Sequence, residues 1–264
     1  ARYNVYIKAT MLPRASVLIL SLAVVGTACY GAFLGIEALA RAAGLFFIGI
    51  LASLIFIFCA LVPEVSLLHF SAPGYYGTGP VVKESVTMVS GITEIATMVV
   101  LLPYVRGKIK GKFVLWGIGE TVTIGLVAFF VIGVLGDYTT MQLFPFHVAS
   151  TIAKIGSLQR LDALHVAVWT TGLYIKVALF LLALSVSVTN LSGKKAGRIA
   201  LLVGAAIALA TGMLFTNTPS MIAQLASVDI TIFLAVVFFA LIPLAVLLTD
   251  IIKEQIRKHR EKLG

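Results

Sequence analysis

Seven stretches of about twenty apolar residues constrain this chain more than any other feature. A helix of about twenty residues is needed to cross a hydrocarbon core of ~30 Å. Lipid cannot hydrogen-bond an exposed backbone, so stretches of this kind fold as helices. They lie at Ser16–Ile36, Ala43–Val62, Val86–Val105, Phe113–Leu135, Leu161–Val188, Arg198–Phe215 and Asp229–Thr249. The sequence therefore predicts an all-α polytopic membrane protein with about seven transmembrane helices.

The composition supports this class and argues against several functions. Of the 264 residues, 60% are hydrophobic and 12% are charged, whereas soluble domains have about 25% charged residues. The net charge of +9 does not indicate nucleic-acid binding, because the cations lie in short loops and in the tail, beside lipid headgroups. Cys29 and Cys59 are interpreted as small buried apolar side chains. We find no metal-ligand spacing and no pairing of a nucleophile with a base, so we expect no metal, no cofactor and no enzymatic activity.

The basic residues predict the orientation in the membrane. Placing the loop after the third span in the cytoplasm puts thirteen Lys and Arg residues inside and six outside. This bias predicts an outside amino terminus and an inside carboxyl terminus. The third-span loop contributes four of the cations, which are Arg106, Lys108, Lys110 and Lys112.

The segment Val86–Lys112 has a carboxylate near the middle of its apolar span. An acid in that position costs roughly 2.5–3.5 kcal/mol on insertion scales, so Glu94 is expected to face protein, water or a ligand. Ser90, Gly91 and Thr93 precede it, and such residues favour a helix break that frees backbone groups for a ligand near the midplane. The alternative is an intact helix in which Glu94 only pairs with a neighbour.

The fifth span, Leu161–Val188, has a polar stripe. Five residues at steps of three and four share one helix face, and they are Asp162, His165, Trp169, Gly172 and Lys176. Lys176 lies ~21 Å along the helix, at or below mid-membrane. Its possible roles are counter-ion to Glu94, partner of a ligand carboxylate, or substitute for a coupling cation. A purely structural salt bridge is the alternative.

Other local patterns predict packing rather than binding. Gly31 and Gly35 form a small-xxx-small pattern that predicts a close-packing helix face. Glu37 and Arg41, four residues apart in the turn after the first span, are expected to form an ion pair. The outer segment Gly136–Arg160 is expected to be a short surface helix or a re-entrant cap. A further stripe of small residues lies at Ala200, Gly204, Ala208 and Gly212.

Taken in order, short motifs along the chain resemble the B subunits of spore germinant receptors. These belong to the spore permease family within the amino acid–polyamine–organocation superfamily. The motifs that carry the resemblance are Gly35-Ile-Glu37 with Ala40-Arg41, Glu94 with Leu101-Leu-Pro103-Tyr104, Gly133-Val-Leu-Gly136, Phe144-Pro145, Arg160-Leu-Asp162, Trp169 and Lys176. They cover nearly the whole chain.

The resemblance implies a LeuT-like inverted-repeat transporter fold, of which this chain is similar to the fourth through tenth helices. The first three helices of the family would then be missing. Residues 1–264 would form a single transmembrane domain, with residues 1–85 a remnant of the first repeat, residues 86–249 the second repeat and residues 250–264 a basic cytoplasmic tail. The ligand site implied comprises Ser90, Gly91, Thr93, Glu94, Trp169 and Lys176.

The function implied is that of a nutrient sensor in the inner membrane of a bacterial spore. Such a subunit would bind a small germinant, often an amino acid, and act with A and C partner subunits. A secondary amino-acid transporter of the same superfamily is the main alternative, and a gated conduit for water or ions is a third. The sequence does not separate a receptor from a transporter, because both use the same fold and pocket.

Overall fold

The computed structural model describes residues 1–71, 77–79, 82, 85, 94–105, 110–156, 158–159, 161–218 and 233. In these ranges we number eight α-helices and describe one short β-hairpin. The helices are α1 (Arg2–Thr10), α2 (Val17–Phe33), α3 (Ile36–Leu61), α4 (Glu94–Leu101), α5 (Lys110–Leu135), α6 (Pro145–Ile152), α7 (Asp162–Ser192) and α8 (Lys194–Asn217), and the hairpin pairs β1 (Lys154–Ile155) with β2 (Leu158–Gln159).

The helix lengths and their apolar surfaces make this an all-α polytopic membrane protein. Within the described residues, four helical stretches are long and apolar enough to cross a membrane, and α2 is a shorter apolar helix. The four stretches are Ile36–Glu64, Gly111–Met141, Asp162–Ser192 and Lys194–Asn217. Large apolar side chains are exposed on their outer faces, including Leu45, Ile48, Leu115 and Ile199. Such surfaces suit lipid and would promote aggregation in water.

Five of the predicted spans correspond to α2, α3, α5, α7 and α8. The largest difference is at α3, which begins at Ile36 rather than at the predicted Ala43. Glu37 and Arg41 are paired as predicted, 3.6 Å apart, but they lie in the first turns of this helix rather than in a turn before it. An apolar stretch indicates only the part of a helix that crosses lipid, and α3 continues ahead of that part through Glu37 and Arg41.

The third predicted span is described only in its second half. There α4 ends at Leu101 and a 3₁₀ turn, Leu102–Tyr104, follows. Pro103 lies in that turn, because a proline lacks the amide hydrogen that would continue an α-helix. The first half of the span, the cations Arg106 and Lys108, the last predicted span and the basic tail lie outside the described residues.

The chain divides into two compact units. The first unit comprises Ala1–Tyr75 with Leu101–Thr216, and the second comprises Tyr76–Val100 with Asn217–Gly264. The first unit contains α1, α2, α3, α5, α6, α7 and nearly all of α8. In the second unit, the longest described segment is α4 up to Val100.

Two buried apolar clusters hold the first unit together. One joins α2, α3, α7 and α8 through small residues and leucines, and it includes Ala28, Ala32, Leu39, Ala178, Leu181, Leu182, Leu201 and Ala205. The other joins α3, α5, α6 and the start of α7, and it includes Ile57, Ala60, Leu61, Phe130, Val131, Leu135, Ala149, Ala153 and Leu161. In the second cluster, Phe58 stacks on Phe130 with ring centroids 4.9 Å apart.

Two glycines that the sequence grouped as one packing face have different roles. A Cβ atom added at Gly31 would collide with the hydroxyl group of Tyr174, so Gly31 does allow α2 and α7 to pack closely. Gly35 would meet no described atom within 4 Å, but its φ of +88° at the start of α3 is a conformation that side chains oppose. The prediction was therefore right for Gly31 and wrong for Gly35, which lies in the turn between two helices.

Two further predictions can be compared with the structure. Gly136–Arg160 contains a 3₁₀ helix (Gly136–Met141), α6 and the hairpin, and α6 buries His147, Ala149 and Ser150 against the bundle. A short helix is therefore present, but it is partly buried.

Cys59 is exposed and Cys29 is half-buried, so the burial predicted for both cysteines was wrong. Cys59 lies on the outward face of α3, where lipid accepts a small apolar side chain as readily as a core does.

Candidate functional site

The polar stripe predicted on the fifth span lies on one continuous helix, α7. Asp162 is its first residue and is 6% exposed. Lys176 lies fourteen residues further along the sequence and is half-buried. A lysine at that depth is costly unless it faces protein, water or an anion. Ionisable groups therefore lie on α7 from its first residue, Asp162, to Lys176 near the middle of the helix.

Trp169, the aromatic residue of the stripe, packs against other rings. Its ring centroid lies 4.2 Å from that of Tyr6 on α1, and the two planes are nearly perpendicular at 85°. Phe144 and Tyr3 lie 5.8 Å and 6.5 Å away by the same measure. Edge-to-face pairs of this kind add about 0.5–1.5 kcal/mol each beyond their buried area. Trp169 thus joins α7 to α1 and to the residue that precedes α6.

Tyr6 lies at the centre of this aromatic group and is fully buried. Its hydroxyl group is 3.0 Å from Nδ1 of His147 on α6. This buried hydrogen bond links α1 to α6.

His165 adds an unsatisfied polar atom to the same group. Its Nδ1 atom is buried and has no hydrogen-bond partner among the described residues. The His165 ring lies 4.8 Å from Phe146, 5.8 Å from Tyr6 and 5.9 Å from His147, measured between centroids. A buried nitrogen without a partner loses its hydration and gains no protein hydrogen bond in return. We refer to Tyr6, His147, His165 and Trp169 as the ring cluster.

A second polar group lies on the other side of α1. The side-chain nitrogen of Asn4 donates to Oγ of Ser21 on α2 at 2.7 Å and to Oγ1 of Thr216 on α8 at 3.1 Å. The Thr216 hydroxyl donates in turn to the carbonyl oxygen of Gly212 at 2.5 Å. Asn4 and Ser21 are only 3% and 4% exposed. These bonds attach the short helix α1 to two longer helices.

Beside this group is a cavity of about 260 Å³. Its walls come from α1, α2, α7 and α8 and are mostly apolar. The residues that line it are Ala1, Arg2, Tyr3, Asn4, Ser21, Val24, Val25, Leu173, Val177, Ala208 and Gly212. Leu173 and Val177 follow Trp169 at helical spacing, so the cavity adjoins the face of α7 on which the polar stripe was predicted.

The predicted ligand residues are only partly covered by the structure. Trp169 and Lys176 lie on α7 as described above. Ser90, Gly91 and Thr93 lie outside the described residues. Glu94 is the first described residue of α4, and its side chain is not described. The expected partnership of Glu94 with Lys176 therefore stays a prediction.

Sequence reasoning missed His147 on α6 and, above all, Asn4 and Tyr6 on α1. This nine-residue helix is too short and too polar to register as a membrane span, although it supplies Tyr6 and Asn4 to the two polar groups. One signal was present in the sequence, because Tyr3 and Tyr6 lie three residues apart and so share a helix face. Their partners on other helices could not have been found by spacing.

The fold and these buried polar groups define a helical membrane protein. A family profile described as "Spore germination protein", that of the spore permeases, matches residues 1–221. The chain belongs to this family and is a spore germination membrane protein. No curated protein and no solved structure matches it.

Proposed function

We propose that this chain is the integral membrane subunit of a nutrient germinant receptor in the inner membrane of a spore. It binds a small solute, an amino acid, and helps to trigger germination together with A and C subunits. The observation that carries the proposal is the match to spore germination proteins over residues 1–221. Most of the chain, including all of α7, falls within that match.

The ligand residues proposed are those that the sequence indicated, namely Ser90, Gly91, Thr93, Glu94, Trp169 and Lys176. Lys176 would bind the carboxylate of the amino acid, and Glu94 would bind its ammonium group. Free backbone amides near Ser90, Gly91 and Thr93 would add hydrogen bonds to the carboxylate. Opposite charges in a site that excludes water attract each other more strongly than they do in water.

Signalling requires the ligand to bind one conformation of the bundle better than another. Trp169 gives the site a route to the rest of the protein, because its ring packs on Tyr6, which bonds to His147 on α6. A ligand that moved α7 would therefore disturb α1 and α6 together. In this proposal the ring cluster transmits the binding event.

The test is amino-acid binding to the purified full chain, measured by calorimetry with and without the A and C subunits. We expect Glu94→Gln and Lys176→Met each to weaken binding at least about tenfold. Glu120→Gln and Lys194→Met are the matched controls, because each makes the same chemical change elsewhere in the chain. Unaltered binding in both site variants would overturn the assignment. Accumulation of amino acid in vesicles by the chain alone would favour a transporter instead.

A further inference from the structure

Two exposed cations, Lys195 and Arg198, lie in the first turns of α8. The first turn of a helix favours acidic side chains, but that of α8 contains none. The sequence from Ala163 to Val228, which includes the whole of this helix, has no Asp or Glu. Neither cation takes part in an ion pair within the described part of the chain. An anion from outside this part of the protein would therefore be attracted to both.

The length of α8 places these cations at the level of lipid headgroups. Its 24 residues extend about 36 Å at 1.5 Å per residue, which is roughly one turn more than a hydrocarbon core of ~30 Å. The charged first turn is the part that extends beyond the core, because the residues that follow it are mostly apolar. The orientation predicted from the basic residues puts this turn on the cytoplasmic side. Phosphate groups of the inner leaflet lie at that level.

Lys195 and Arg198 share a helix face with exposed apolar residues. Residues three, four and seven apart lie on one face, so both cations are aligned with Leu202, and Lys195 is also aligned with Ile199. Leu202 and Ile199 are each 54% exposed. A guanidinium group can bind phosphate through two parallel hydrogen bonds, and apolar side chains one turn further into the membrane suit acyl chains. This face thus offers contacts for both parts of a phospholipid.

The neighbouring cation Lys194 lies on a different face of α8. It precedes Leu201 by seven residues, and Leu201 is 2% exposed within the cluster that α7 and α8 share. A Cβ atom added at Gly197 would lie 2.7 Å from the carbonyl oxygen of Ser185 on α7, so the two helices are in close contact here. This contact fixes which face of α8 is turned to lipid, and it separates Lys194 from Lys195.

We infer that Lys195 and Arg198 bind the headgroup of an anionic phospholipid of the cytoplasmic leaflet, and that Ile199 and Leu202 contact its acyl chains. A zwitterionic lipid fits less well, because its own cation offsets the charge of the phosphate. Lipid is favoured over an acidic protein because the two cations are continuous with an apolar surface that faces the membrane. The site uses none of the residues assigned to the germinant above, so the inference does not depend on the receptor function.

Calorimetry with three probes on the full chain in a neutral detergent tests the inference. Dioctanoyl phosphatidylglycerol has a negative headgroup and two chains, dioctanoyl phosphatidylcholine has a neutral headgroup, and glycerophosphoglycerol has the negative headgroup without chains. We expect the first to bind and the other two to bind at least about tenfold more weakly. Equal affinity for phosphatidylcholine would overturn the inference. Equally tight binding of glycerophosphoglycerol would also overturn it, because the site would then bind a free phosphate diester and not a lipid.

Three variants locate the bound lipid. Lys195→Gln and Arg198→Gln should each lower the affinity for phosphatidylglycerol about fivefold. Lys194→Gln is the matched control, because it removes a cation one residue away on a different face, and it should change the affinity less than about twofold. Equal losses in all three variants would show a diffuse attraction without a site and contradict the inference. Failure of phosphatidylglycerol to bind would overturn it, and a cross-link from Lys195 to a carboxylate of the A or C subunit would then assign these cations to a protein partner.

Discussion

The two halves of α7 are held in the bundle by different interactions. Residues 162–169 pack through rings and a buried hydrogen bond, with Tyr6 of α1 between His147 and Trp169. Residues 178–183 pack through small and aliphatic side chains against α2, α3 and α8. Inside a membrane there is no hydrophobic drive to bring helices together, so close packing and polar contacts are the available forces.

The two halves also differ in how fully their polar atoms are paired. The second half packs through apolar residues such as Ala178, Leu181 and Leu182. The first half contains a His165 nitrogen that has no hydrogen-bond partner among the described residues, beside the buried hydrogen bond between Tyr6 and His147. Lys176, which we propose to bind the germinant, lies between the two halves.

Removing the Tyr6 side chain should have the largest effect on stability. Tyr6→Ala leaves a hole among Phe144, His147 and Trp169 and should lower the free energy of unfolding by about 3–5 kcal/mol. Tyr6→Phe keeps the ring and loses only the hydroxyl, so it should cost about 1 kcal/mol. Chemical denaturation in detergent measures both. Equal losses would mean that the hydrogen bond, and not ring packing, holds this half.

Filling the contact between Gly31 of α2 and Tyr174 of α7 should lower stability by a smaller amount. Gly31→Leu forces a side chain against Tyr174, and overpacking of this kind costs about 1–3 kcal/mol. Gly26→Leu on the same helix is the control, because a Cβ atom there meets nothing within 4 Å. Thermal unfolding of the two variants should differ. Similar melting temperatures would show that close approach of α2 and α7 is not required.

Replacing His165 should raise the stability of the protein, whereas the replacements above lower it. His165→Leu removes a buried nitrogen without a partner and should raise stability by about 1 kcal/mol. His147→Leu should instead destabilise the protein, because it leaves the Tyr6 hydroxyl unpaired. The pair of variants is compared by denaturation. A loss of stability in His165→Leu as large as in His147→Leu would show that the two histidines are equivalent.

The exposed ion pair at the start of α3 should matter least. The side chains of Arg41 and Glu37 are 76% and 85% exposed, so water screens their attraction. Arg41→Ala should cost no more than about 0.5 kcal/mol, and added salt should reduce even that. A cost above 1 kcal/mol would contradict the view that polar contacts stabilise this protein only where they are buried.

The sequence predicted the fold class because that property depends on local patterns. Apolar length sets the spans, and charges four residues apart predicted the pair of Glu37 and Arg41. The polar stripe of α7 followed from helical spacing alone. Each of these signals lies within one segment of the chain.

Helical spacing placed His165 and Trp169 on one face. Their contacts with Tyr6 and His147, and the cavity, were not predicted, because they depend on distant segments of the chain. Tyr6 and His147 are separated by 141 residues, and Asn4 and Thr216 by 212. The short helix α1 lacks the apolar stretch by which a membrane helix is predicted. The role of a single residue such as Asn4 depends on partners that the sequence does not indicate. Gly35 illustrates the same limit, because spacing alone does not separate a packing glycine from a turn glycine.

Germination of spores that carry variants of the complete receptor tests the central claim most directly. The account predicts that Lys176→Met and Glu94→Gln each raise the amino-acid concentration needed for half-maximal germination by at least about tenfold. Lys194→Met and Glu120→Gln should respond like the unaltered receptor, with all four variants present in the membrane at equal amounts. A normal response in both site variants would contradict the proposal that these two residues bind the germinant.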